Sequence, residues 1–135
     1  MKKQIILLGD SIRMQYQPVV ARMLADIAEI SGPEENGRWS GYTLNSLRFW
    51  LPQLPSPDLV HWNCGLWDMG DDYQEGRHFY PLDLYEETCH RICRVLRKAS
   101  PVSFSQRADT QRSGSSLSLR SFGTLVQSRL WIETP

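Results

Sequence analysis

The run Ile5-Ile6-Leu7-Leu8 passes without a polar break into Gly9-Asp10-Ser11. Residues 4–9 read as a strand that is apolar on both faces, the pattern of a central strand in a parallel sheet covered on two sides. The chain must turn at Gly9, so a carboxylate and a hydroxyl arrive together at the C-terminal edge of the sheet. Open α/β sheets bind their ligands at that edge. Ser11 is therefore the leading candidate for a reacting atom.

The rest of the chain supplies partners for this strand. Pro18 suits the first position of a helix, where a missing N–H costs nothing, and Val20, Met23, Leu24 and Ile27 follow at helical spacing. Ala28-Glu29-Ile30 reads as a short second strand, stopped by Ser31-Gly32-Pro33. A polar, glycine-rich stretch from Glu34 to Gly41 leads to Thr43, a cap for a helix that buries Leu44, Leu47 and Leu51. Pro52, Pro55 and Pro57 end that helix. Residues 58–65 form the clearest second central strand, and the loop after it carries Asp68, Asp71 and Asp72. Asp83 and Glu86 have capping-box spacing, ahead of a helix that buries Tyr85, Cys89, Ile92 and Leu96. Arg97 and Lys98 fall in its last turn, where they favour the helix dipole. Pro101-Val102-Ser103-Phe104 is the next strand. This alternation predicts a three-layer α/β/α domain with a mainly parallel sheet and right-handed crossovers over residues 1–104. Residues 105–135 are serine- and arginine-rich and read as a poorly ordered tail.

At 135 residues, 41% of them hydrophobic, the chain has one domain's worth of core. Fifteen basic and fifteen acidic residues cancel, so no general attraction to nucleic acid is expected. The balance is uneven: residues 58–90 hold eight acids and one arginine, whereas residues 97–135 hold six basic residues and two acids. Cys64, Cys89 and Cys93 lack zinc-site spacing and suit a reducing compartment. Only four strongly apolar residues follow Met-Lys-Lys, too few for a signal peptide or a membrane span. The expectation is a cytoplasmic protein with no membrane partner.

A serine hydroxyl needs a base and donors for the developing oxyanion. The candidate donors are the N–H groups of Ser11 and Gly41, the Asn63 amide and the Trp67 indole. Asp10 orients the turn. His61 shares a strand face with Asn63, and His78 lies in a polar loop near Asp71 and Asp72; these are the candidate bases. The three loop acids are expected to face water rather than to hold a metal.

On these residues the chain resembles the SGNH hydrolases, also called GDSL-type esterases and lipases. Ile6-Leu7-Leu8-Gly9-Asp10-Ser11 is similar to their first block, with Ser11 as nucleophile. Ser40-Gly41-Tyr42-Thr43 resembles the second, whose glycine N–H joins the oxyanion hole. Gly65-Leu66-Trp67-Asp68 resembles the third, with Trp67 where the family has asparagine and Asn63 nearby as a substitute. The family carries its base in an Asp-x-x-His block near the C-terminus, and none follows the third block here. The resemblance covers roughly residues 4–104. It implies a flavodoxin-like SGNH architecture, incomplete at the C-terminus. It also implies no cofactor and a small acyl or acetyl ester, or an acylated carbohydrate, as substrate. The alternative is an inactive domain of the same fold that binds without turnover. A phosphate-binding loop is disfavoured, because Gly9-Asp10-Ser11 lacks the required lysine and glycine spacing.

Overall fold

The structure is a computed structural model that describes residues 1–71, 73–99 and 104–108. Its elements are β1 (Lys3–Leu8), α1 (Ser11–Met23), β2 (Ala28–Ser31), α2 (Ser40–Trp50), a 3-10 turn (Leu51–Gln53), β3 (Leu59–Cys64), α3 (Leu82–Ala99) and β4 (Phe104–Ala108). The four strands are parallel, in the order β2-β1-β3-β4. The result is a three-layer α/β/α fold, flavodoxin-like in general terms.

Chain direction places the site. From β1 the chain moves to β2 on one side, then returns to β3 on the other side of β1. In open α/β sheets such a reversal marks the ligand-binding edge, at the C-terminal ends of the strands. The register Ile6↔Val60 and Leu8↔Trp62 brings those ends of β1 and β3 level.

Alternation along the strands divides the side chains between the two faces. Ile6, Leu8, Val60, Trp62 and Cys64 pack with Leu47 and Trp50 of α2 and with Tyr85, Cys89, Ile92 and Leu96 of α3. The four α3 residues expected to be buried are all fully so. On the other face, His61 and Asn63 meet α1 through Tyr16: the Tyr16 and His61 rings lie edge to face at 6.4 Å, and the Tyr16 hydroxyl donates to Asn63 Oδ1 at 3.4 Å.

Several boundaries differ from the sequence reading. Helix α1 begins at Ser11, not near Pro18. Asp10 is extended and its Oδ1 accepts from Ile12 N at 2.9 Å, an N-cap placed well upstream of the proline. Pro18 is tolerated inside the helix on an exposed position, and Met23 and Ile27 point to solvent. Helix α2 starts three residues before Thr43, and α3 one residue before Asp83. The strand expected at 101–104 meets the described residues only at Phe104, where β4 begins. No described helix is long and apolar enough to cross a membrane.

Candidate active site at the sheet edge

Ser11 is the first residue of α1 and is exposed. Its N–H lies in the first helical turn, where no carbonyl four residues back is available to it. Among the described residues its hydroxyl has no hydrogen-bond partner.

The turn before it is packed to the limit. A Cβ at residue 9 would overlap Asn63 Oδ1 and come within 2.8 Å of Arg13 Cβ. Asn63 is buried beneath this turn and its Nδ2 donates to Asp10 Oδ1 at 3.4 Å. Asn63 therefore braces the turn from below. The sequence reading offers Asn63 as an oxyanion donor; the structure places it beneath the Ser11 turn instead, buried, with its amide on Asp10 and Tyr16.

The β2–α2 loop lies directly on the same turn. Gly37 N donates to Gly9 O at 2.8 Å, and a Cβ at residue 37 would stand 2.7 Å from that oxygen. Asn36 Oδ1 accepts from Arg38 N at 2.8 Å and holds Arg38 at a φ of 52°. Thr43 Oγ1 donates to Gly37 O at 2.7 Å. The sequence reading passed over Gly37, although an Asn-Gly pair just ahead of a helix marks a tight turn.

Gly41 is the second residue of α2, so its N–H also lies in a first turn without an intrahelical acceptor. A Cβ there would lie 2.9 Å from Trp39 Nε1 and 3.0 Å from the Tyr80 hydroxyl. Trp39 in turn packs at a tilt against Tyr42 at 5.4 Å and edge to face on Phe79 at 5.9 Å.

The third loop is fastened to the second by Asp68. Its carboxylate accepts from Ser40 N at 3.0 and 3.1 Å and from Ser40 Oγ at 2.5 Å. Its carbonyl accepts from Tyr80 N at 3.0 Å. Burial raises the Asp68 pKa, although the bonds from Ser40 pull the other way. A serine beside a carboxylate has the makings of a proton-transfer pair. Here both residues are sealed from solvent, and the carboxylate sits at the positive end of α2, so the pair acts as a helix cap.

At the exit from β3, the Tyr85 hydroxyl donates to Cys64 O at 3.2 Å. It would stand 3.0 Å from any Cβ at residue 65, where φ is 126°. Trp67 then projects from the rim, 44% exposed. Burial pushes the Cys64 thiol well up, which suits a core-filling side chain rather than a nucleophile.

Among the described residues no histidine hydrogen-bonds Ser11. His61 meets Tyr16 of α1 edge to face. His78 Nδ1 lies 3.1 Å from Met69 O, a contact that leaves Nε2 as the acceptor when Nδ1 carries the proton. His90 lies 3.9 Å from Glu86 on α3. Asp71 bonds the N–H groups of Glu75 and Gly76 within its own turn, both at 2.8 Å. Asp72 lies outside the described residues.

The fold defines a class by architecture alone: a three-layer α/β/α domain with a parallel sheet. No protein-family model and no curated protein sequence matches the chain. Among solved structures it is similar to an acetyl xylan esterase, AlAXEase, at 15% identity and a TM-score of 0.72, covering 93% of this chain and 71% of that one. It is also similar to a carbohydrate esterase family 2 enzyme with a carbohydrate-binding domain from Corynascus thermopiles (Myceliophthora fergusii). There the identity is 18% and the TM-score 0.66, over 96% of this chain and 51% of that one. The likeness is one of fold.

Proposed function

We propose that the chain is a serine ester hydrolase domain of the SGNH/GDSL type, acting through Ser11 on a small acyl or acetyl ester of a carbohydrate. The observation that carries this reading is the convergence at one sheet edge of an exposed serine at a helix N-terminus and a glycine turn braced by Asn63. A second loop, bearing Gly37, lies against the turn and leads into α2, whose second residue is Gly41. Ser11 Oγ would attack the acyl carbon, and the bond to the alcohol oxygen would break as the alcohol takes up a proton. Water would then release the acid from the acyl-serine. The N–H groups of Ser11 and Gly41 are the candidate oxyanion donors. Trp39, Phe79 and the exposed Trp67 offer ring faces against which the C–H face of a sugar can pack, and the two similar esterases support the same substrate class.

A second reading is favoured by the histidines, none of which hydrogen-bonds Ser11 among the described residues: the domain binds an ester without turning it over. Hydrolysis of p-nitrophenyl acetate by the purified chain, beside Ser11→Ala, separates the two. Ser11-dependent turnover, with at least about a hundredfold loss in the variant, is the expected result. No turnover from a folded chain, whether on this ester or on an acetylated xylo-oligosaccharide, gives the second reading.

A further inference from the structure

Arg13 stands where neither helix electrostatics nor solvation favours it. It is the third residue of α1, in the turn whose free N–H groups form the positive end of the helix dipole. It is only 2% exposed. Burial pulls the guanidinium pKa down, and electrostatic interaction with Tyr16 and Asp10 opposes that shift. Its Nε is buried without a hydrogen-bond partner among the described residues, as is Asp10 Oδ2. Local rules broken together at one residue mark a position kept for some other reason.

The two bonds that Arg13 does make show what that reason is. Nη1 donates to Gln17 Oε1 at 2.8 Å, one turn further along α1. Nη2 donates to the carbonyl of Glu35 at 2.6 Å. Glu35 precedes Gly37 by two residues, and Gly37 is the residue that lies on Gly9. The Glu35 carboxylate reaches the other way, accepting from the Tyr42 hydroxyl at 3.1 Å and from Trp50 Nε1 at 3.3 Å. The loop is thus held by α1 through Arg13 and by α2 through Tyr42, Trp50 and Thr43. These helices lie on opposite faces of the sheet.

We propose that Arg13 is a positioning residue that clamps the 34–37 segment against the Ser11 turn and so sets the distance from the start of α2 to the nucleophile. The catalytic consequence rests on the ester-hydrolase reading, while the clamp itself does not. A planar guanidinium meets acceptors in two directions at once; a lysine ammonium is a point charge that cannot reproduce the fork. Arg13 acts through the loop and reaches no substrate. Its loss therefore acts on transition-state geometry more than on binding.

Arg13→Met and Arg13→Lys, assayed with p-nitrophenyl acetate and by amide hydrogen exchange, test the clamp. R13M is expected to lower kcat by about tenfold or more with KM within about twofold, and R13K to recover part of the loss. Exchange of the 34–37 amides is expected to quicken by about tenfold in R13M, with α3 unchanged. Unaltered exchange at 34–37 in a folded R13M overturns the proposal, and so does a loss confined to KM. Should the unsubstituted chain show no turnover, the hydrolase reading fails and the exchange result alone decides the clamp. Should R13M not fold, R13K carries both readouts.

Discussion

Glycine at position 9 is required by contact rather than by composition. Its φ is 156°, and a methyl group there would overlap the Asn63 amide, itself buried and bonded to Asp10. Gly9→Ala is expected to destabilise the protein by about 3 kcal/mol, because the new methyl would meet both the buried, hydrogen-bonded Asn63 amide and Arg13 Cβ at 2.8 Å. Gly76→Ala is the matched control: φ is 72° and nothing lies within 4 Å, so only the left-handed backbone term of about 1 kcal/mol applies. Urea unfolding of both variants checks the difference, and equal losses would mean that the Gly9 contacts are slack. The turn that carries Ser11 could be read from the sequence because it directly follows the apolar run Ile5-Ile6-Leu7-Leu8. The packing of Gly37 on Gly9 and the bond of Arg13 to Glu35 were not legible, because each joins residues more than twenty positions apart.

Helices differ in how much their sequences disclose. In α3 the apolar positions Tyr85, Cys89, Ile92 and Leu96 recur at helical spacing and all face the core, so hydrophobic periodicity alone finds the element. The inward side of α1 carries Arg13, Tyr16 and Gln17, the polar groups that hold the Ser11 turn and the second loop. Periodicity therefore misses the first two turns of α1 and starts the helix at Pro18, where the apolar spacing resumes. The two helices should respond oppositely to truncation. Ile92→Ala, at a fully buried position, is expected to cost about 2–5 kcal/mol. Val19→Ala, at a position 42% exposed, should stay within about 0.5 kcal/mol. Thermal unfolding of the pair reads this directly, and a large loss from V19A would place a packed partner on the outer face of α1.

Across the whole molecule, the two ends of the sheet carry carboxylates of opposite pH sense. At the N-terminal end Asp58 joins β3 to β1: Gln4 N donates to Oδ2 at 2.8 Å and Lys3 Nζ to Oδ1 at 3.1 Å. Those bonds, that from Gln4 first, hold its pKa below the ordinary 3.8. Its stabilising contribution is present above 3.8 and is lost as pH falls through the depressed folded value. At the C-terminal end, burial raises Asp68 above 3.8, so the folded state binds that proton more tightly than the unfolded chain does. Asp68 therefore adds stability as pH falls from its folded value towards 3.8, and contributes no further change below. The two windows meet at 3.8 without overlapping. The urea midpoint of Asp68→Asn, subtracted from that of the unsubstituted protein, should change with pH above 3.8 and be flat below. The same difference for Asp58→Asn should be flat above 3.8 and change below. Parallel differences for the two variants would show that the top and bottom edges of the sheet do not hold these carboxylates in the distinct environments described.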